Sequence, residues 1–321
     1  MDSTADVARA AAELATLAPS IHNSQPWRWR MDGPGLDLYL AHSRLLGITD
    51  PDRRLAILSC GAALHHAAVA IVAEGWHADI TRLPDPADPD HLARLDITGP
   101  APASPDAMRH VQTIRLRHTD RRPTTRTPVE SDHLGAIAAA AHANGARLHL
   151  LRRDAVLELA AAVSSAQHTE AGEQAWQAEL AYWTGGTRPT GAGVPDTAIP
   201  ASPTETTVPS RDFGHPGTLP ISAEHDTAAT FAILYGDEDS PADWLRAGEA
   251  LSAAWLTATE LGIAVLPLSA TVEVAATRET LRRLLAGTGE PYLVLRLGHA
   301  DPDHPAAPHT PRLPADQTIE R

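Results

Sequence analysis

The sequence predicts an α+β protein made of two tandem units, each an antiparallel sheet packed with helices, and two internal correspondences carry that expectation. GAALHHAAVAIVAEG (61–75) and GEALSAAWLTATELG (248–262) share Gly, Ala, Leu, Ala and Gly at matching offsets, and a short strand-like run follows each. The surroundings repeat as well: a helix over about 131–143 leads into RLHLL (147–151) as a first helix leads into WRWRM (27–31), and PYLVLRL (291–297) answers HLARLDI (91–97). Chance likeness between alanine-rich helices is the competing explanation of the first match, and the second weighs against it. With 321 residues and 43% apolar content the chain can bury a large core. The two units are taken as 1–105 and 106–321.

Val7, Ala10, Ala11, Leu14 and Leu17 recur at helical spacing, and Pro19 stops that helix. APSIHNSQPWRW (18–29) is then a helix-to-strand loop crowded with hydrogen-bonding side chains. WRWRM and LDLYL flank the turn signal DGPG, a hairpin in which Trp27 and Trp29 alternate with Arg28 and Arg30 and take the core side. A helix starting near Asp52 and strands near 77–83 and 93–98 complete the first unit. In the second, a helix over about 154–182 runs into residues 183–217, rich in Pro, Gly, Thr and Ser. A structureless insertion of that length is uncommon inside a compact domain and is usually a lid, a binding loop or disorder. A lid over about 165–225 is the expectation.

The formal charge of −14 disfavours nucleic acid and anionic membrane as partners, so any anionic ligand must meet a local basic cluster. All 26 basic residues are arginine. The absence of lysine excludes lysine Schiff-base chemistry, Ser-x-x-Lys acylation and the phosphate-loop lysine. A single cysteine, Cys60, forms no internal disulfide or thiolate zinc cluster and fits a reducing compartment. MDSTADVARAAAELA lacks the basic-then-apolar pattern of a signal peptide, which makes the cytoplasm the expected location. The apolar run 56–73 contains Ser59, Cys60, His65 and His66 and suits a buried helix better than a membrane span. On it Cys60 is a packing residue, and the adjacent His65 and His66 point apart, a poor metal pair. His299, His304 and His309 are expected in solvent, and no metal site is expected. No Gly-x-Gly-x-x-Gly follows a strand, so a Rossmann domain is absent, and GTG (287–289) reads as a turn.

The basic cluster is IRLRHTDRRPTTR (114–126), with Arg115, Arg117, Arg121, Arg122 and Arg126. A solvated face of ion pairs is one reading. The alternation Arg117, Thr119, Arg121 puts two guanidinium forks and a hydroxyl on one side of an extended segment, with a helix soon after, and that arrangement suits a phosphate.

APSIHNSQPWRW together with RHTDRR resembles the nitroreductase family of FMN-dependent oxidoreductases, and the duplicated pattern with its Trp-Thr-led insertion looks like the actinobacterial Acg-like branch. The resemblance covers most of the chain. It implies two fused nitroreductase-like units forming a pseudo-two-fold dimer within one chain, so that a monomer suffices where the family uses a homodimer. It implies FMN, with Arg117, Thr119 and Arg121 on the phosphate, Arg312 of PHTPRLP joining them, and Ser20, His22, Asn23 and Gln25 reaching ribityl and isoalloxazine polar atoms. Capping of the following turn is the alternative role for His22. Pro267, Leu268 and Ser269 fall where the family touches the reactive edge of the ring, Leu268 and Ser269 replacing its Glu-Gly pair. A mirror site would need arginines in MDSTADVA and a donor-rich loop in AHANGARLHL; neither is present, so one FMN per chain is expected. The implied activity is NAD(P)H-dependent reduction of a small-molecule acceptor. FMN would carry the redox step, so no catalytic side chain is obligatory. The alternatives are an FMN storage or sequestration protein and an interaction module that has lost its flavin.

Overall fold

The computed structural model describes residues 3–184, 188–202, 204, 206–221, 226–301 and 307–320. Helix α1 (Thr4–Ala15), capped by the Ser3 side chain, precedes the hairpin β1 (Trp27–Asp32) and β2 (Gly35–Leu40), then α2 (Arg54–Ala73), β3 (Trp76–Arg82) and β4 (His91–Pro100). Next come α3 (Pro105–Leu116), α4 (Ser131–Ala143), β5 (Arg147–Leu150), α5 (Arg153–Gly172) and α6 (Gln174–Thr184). Beyond the insertion lie β6 (Thr230–Gly236), α7 (Pro241–Glu260), β7 (Ile263–Leu268), α8 (Ala270–Glu273), α9 (Ala275–Leu284), β8 (Glu290–His299) and β9 (Ile319–Glu320).

Two sheets result, ordered β3-β4-β2-β1-β9 and β7-β8-β6-β5. Counted within each half, the four main strands follow the same order and every pairing among them is antiparallel. In both halves a helix of 20 residues joins the second strand to the third. The C-terminal β9 crosses back and pairs in parallel with β1. Trp27 and Trp29 are fully buried, while Arg28 and Arg30 reach outward over the Tyr39 ring.

The helices α2 and α7 pack against each other at the centre. Alanine and leucine fill α2, whose first turn is satisfied by Asp50, accepting from the Ala56 N–H at 2.8 Å. Its length and mean hydropathy of 1.9 would allow a membrane span, yet 78% of that apolar window is buried inside the protein, as expected for a core helix. A capping box, Ser240 with Asp243, and Pro241 in the first turn start α7. The contact is reciprocal. A Cβ on Gly61 would collide with the Leu245 carbonyl oxygen and one on Gly248 with the Leu58 carbonyl oxygen, while the two glycine Cα atoms face each other. One turn along, His65 Nδ1 meets Ser252 Oγ at 2.9 Å. Only glycine permits backbones this close.

Three stretches differ from the sequence expectation. Residues 105–116 form α3, a helix absent from the sequence expectation; Ser104 caps it and Pro105 opens it, signals masked by the exposed polar composition that follows. The helix expected over 154–182 breaks at Glu173, which adopts β geometry after Gly172. The described residues of 188–219 are folded, with backbone bonds from Leu219 to Ile199, from Ala201 to Leu219 and from Thr218 to Asp196. Within the expected insertion, 185–187, 203, 205 and 222–225 lie outside the described residues, as does His304. His299 is half-buried, with Nε2 3.3 Å from Glu130, whereas His309 is exposed.

Gly61→Ala should destabilise the protein by about 3 kcal/mol in urea denaturation, since the added carbon meets main chain that cannot rotate away. Gly135→Ala, on α4 with open space around it, should instead raise stability by about 0.5–1 kcal/mol.

Candidate functional site

Beside the α2–α7 crossing lies a cavity of about 1200 Å³, counting its open mouth. Its floor is apolar, from Leu55 and Leu58 of α2, Leu251 and Trp255 of α7, and Leu293 of β8. The loop after α1 forms one wall. There His22 (φ 45°), Asn23 (φ 53°) and Gln25 (φ 53°) all occupy the left-handed region, which is costly for side-chain-bearing residues and persists only where surroundings over-determine it. The surroundings do so: Ser59 Oγ accepts from the Ile21 N–H at 3.1 Å and Ser20 Oγ from the Gln25 N–H at 3.0 Å.

Ser20, His22 and Asn23 line the cavity, but Gln25 does not. Gln25 is fully buried behind it, where its amide donates to the Gly191 carbonyl at 2.9 Å and accepts from the Leu313 N–H at 3.0 Å. The Asn23 amide likewise donates to the carbonyls of Gly193 (3.0 Å) and Pro311 (2.9 Å). Much of the donor-rich loop thus fastens the insertion and the C-terminal tail to the body. His22 keeps its ring toward the cavity, and burial, then Arg211 opposed by Glu273, pushes its pKa down to about 3, so the imidazole is neutral.

Arg117, Thr119, Arg121 and Arg312 converge on the cavity as expected. Arg117 follows α3 directly; its guanidinium sits 4.6 Å above the Trp255 ring and donates to the Leu17 carbonyl at 3.3 Å. Its Nε and Nη1 are buried without a partner. Burial and the neighbouring Arg312 push its pKa down to about 9. Arg312 donates to the carbonyls of Thr16 (2.9 Å), Leu17 (3.0 Å) and Ala18 (3.2 Å), capping the negative end of α1, and to Thr310 Oγ1 at 2.7 Å. Burial pushes it down to about 10. Arg121 donates to the Ala198 carbonyl at 3.3 Å and is also pushed down to about 10, by burial that its neighbour Asp120 only partly offsets. Among the described residues no carboxylate ion-pairs with these three guanidiniums. Arg122, by contrast, is paired with Asp120 at 2.7 Å.

Pro267, Leu268 and Ser269, at the end of β7, form the opposite wall. Over the top lie Val163 and Gln167 of α5 and insertion residues including Val194, Pro200, Ser210, Arg211 and Phe213. Arg211 is the residue that sequence reasoning missed. Its guanidinium contacts Glu273 at 2.6 Å and Glu170 at 3.1 Å. Burial, opposed by Arg211 and helped by the Glu273 charge, pushes Glu170 up to about 8, whereas Arg211 holds Glu273 below its usual range despite burial. Nothing in the sequence around Arg211, a lone arginine in Pro- and Thr-rich chain, marks it.

No protein-family model matches the chain. The Mycobacterium tuberculosis H37Rv protein named "Putative NAD(P)H nitroreductase Rv3131" is 37% identical over 320 residues, covering 98% of this chain and 92% of that one. "Putative NAD(P)H nitroreductase acg" of the same strain is 35% identical over 329 residues, covering 98% and 96%. Among solved structures, a nitroreductase with bound FMN from Bacteroides fragilis NCTC 9343 is 16% identical, with a TM-score of 0.39 over 63% of this chain and 93% of that one.

The neutral His22 sets a pH dependence. Between its unfolded pKa of 6.5 and its folded value of about 3, the unfolded chain binds a proton that the folded chain refuses, so stability falls as pH drops through that window. His22→Asn, which tolerates the left-handed backbone, should flatten the pH dependence of urea stability between pH 6.5 and 4.5 by about 1.4 kcal/mol per pH unit relative to the parent. Parallel curves for the two proteins would mean that His22 titrates normally.

Proposed function

This chain belongs to the nitroreductase family, and we propose that it is an NAD(P)H-dependent FMN oxidoreductase holding one flavin in the cavity between its two units, beneath the insertion. The observation that carries the proposal is the trio Arg117, Arg121 and Arg312: Arg117 is buried, Arg121 and Arg312 are half-buried, none has a carboxylate ion pair among the described residues, and Nε and Nη1 of Arg117 have no partner. A desolvated guanidinium without a counter-ion is costly, and a phosphate monoester, tetrahedral and doubly charged, offsets that cost by accepting charge-assisted bonds from the planar guanidinium forks. The residues present therefore fit a flavin mononucleotide. FMN, when bound, would supply the hydride-accepting ring.

The protein would supply position and access. The arginine trio and Thr119 would hold the phosphate. Trp255, Leu55 and Leu58 offer an apolar floor for a ring system, with the wall of Pro267 to Ser269 and the neutral His22 along its edge. A neutral His22 can donate or accept one hydrogen bond without adding charge. The insertion would act as a lid that excludes water.

Several observations support a fused pair of units sharing one site. The strand orders correspond, the Gly61–Gly248 contact is reciprocal as in a two-fold interface, and the cavity draws Ser20 to Asn23 from the first unit and Arg117 to Arg121 from the second. The position matching Ser269 in the first unit is Arg82, at the same spacing as Gly61 and Gly248. Arg82 is locked by two 2.7 Å bonds to the buried Glu249, which fills the mirror location with an ion pair. A second reading, storage or sequestration of FMN with little turnover, is favoured by the closely fastened insertion.

Steady-state reduction of a quinone or nitroarene with NADPH separates the two readings: turnover supports the reductase, and retained flavin without turnover supports storage. Arg117→Ala/Arg121→Ala should lose charge-assisted bonds of roughly 1.5–3 kcal/mol each, so it should purify with less than a tenth of the parent's flavin absorbance. Full flavin occupancy in that variant would overturn the phosphate assignment.

A further inference from the structure

The insertion is fastened unevenly. Its base, 188–201 and 217–219, is held by main-chain bonds: the Gly193 N–H donates to the Asn23 carbonyl, and Leu219 and Ala201 bridge within the insertion. Trp183, Ala192, Leu46 and Leu313 pack beneath that base. The tip, 206–213, makes no main-chain hydrogen bond to main chain of the body among the described residues. Val208 and Phe213 pack inward, and directional fastening comes from two side-chain contacts. Gln167 Nε2 donates to the Ser210 carbonyl at 2.8 Å, and Arg211 is clamped by Glu273 of α8 and Glu170 of α5. Gly214, at φ 76° with open space around it, ends the tip.

We infer that residues 206–213 form a gate over the cavity, shut by a latch in which Arg211 ion-pairs with Glu273 and hydrogen-bonds Glu170, and able to open while the base of the insertion stays bonded. The inference takes the cavity as the ligand site of the proposed function, and the gate would set access to it. Glu273 is the principal anchor. Its side chain is fully buried, both of its oxygens face Arg211, and without Arg211 it would be a buried carboxylate with Ser269 as the nearest donor. Glu170 is the secondary one, with Oε2 on Arg211 and Oε1 buried without a partner. Arg211 Nη2 lies 3.5 Å from Ser269 Oγ, and Phe213 of the tip lies under the Arg121 guanidinium, so opening would expose the part of the cavity that these residues line.

The absence of lysine makes trypsin a site-selective probe. Between Arg153 and Arg246 the chain has only Arg188, whose following bond to Pro189 trypsin does not cut, and Arg211. Cleavage after Arg211 therefore reports opening of the tip, at a rate that tracks the open population when reclosing is fast. In the full-length protein, Glu273→Gln should speed cleavage at Arg211–Asp212 by about tenfold or more, with sites elsewhere unaffected. If Glu273→Gln is instead cut at arginines throughout, because it unfolds, Glu273→Asp decides. This variant keeps the charge and shortens its reach, and faster cleavage confined to Arg211 supports the latch. Cleavage at the parental rate in the folded variant overturns it, and so does a parent protein cut at Arg211 as fast as a flexible peptide of the same sequence. The digestion needs no flavin, so a colourless protein would remove the flavin reading and leave the latch to be judged by its own result.

Discussion

The close crossing of α2 and α7 at Gly61 and Gly248 is the constraint on which the remaining structure depends. Because no side chain separates the backbones there, the apolar residues flanking the glycines can be shared: Leu55 and Leu58 from one helix and Leu251 and Trp255 from the other make one continuous floor. The loops at the helix ends are thereby brought to the same place, and the segment after α1 faces the segment after α3. A larger residue at either glycine would push apart both halves of the cavity, not only the helices. The site and the core are consequently one packing problem.

Electrostatics divides the arginines of an acidic protein into two kinds. Arg82, Arg122, Arg211 and Arg296 are each matched with a carboxylate, and such pairs hold geometry at little net gain. Arg117, Arg121 and Arg312 have main-chain carbonyls and aromatic faces instead, which orient a guanidinium without neutralising it. Twenty-six arginines against forty carboxylates leave no shortage of partners, so three unneutralised cations in one cavity are a local arrangement. That arrangement, more than any single contact, is what suits the cavity to an anionic group.

Much of this was legible in the sequence because the relevant signals are periodic or local. Trp27 and Trp29 alternate with arginines and are buried; the shared Gly-Ala-Leu pattern marks the helices that meet; the spacing of Arg117, Thr119 and Arg121 does place them on one cavity. The misses are equally physical. Arg122 looks like its neighbours in a list of charges, but the adjacent Asp120 captures it. Gln25 sits in a motif whose spacing resembles a flavin loop, yet its left-handed backbone turns the amide toward Gly191 and Leu313. Arg211 depends on Glu170 and Glu273, two residues far from it in sequence, and no local pattern encodes such a meeting.

The fate of the donor-rich loop follows from the insertion. Once residues 188–194 lie against it, the carbonyls of Gly191 and Gly193 need donors, and Asn23 and Gln25 are the side chains within reach. Polar groups that a ligand alone could have satisfied are partly satisfied by the protein, which lowers what a ligand can gain there. The same exchange couples the insertion to the wall: moving the base would unsatisfy two buried amides at once, while moving the tip would break the polar contacts of Arg211 and Gln167 and the packing of Val208 and Phe213. Access to the cavity is then cheapest at the tip, beside Ser269 and with Phe213 over Arg121, where the base of the insertion need not move.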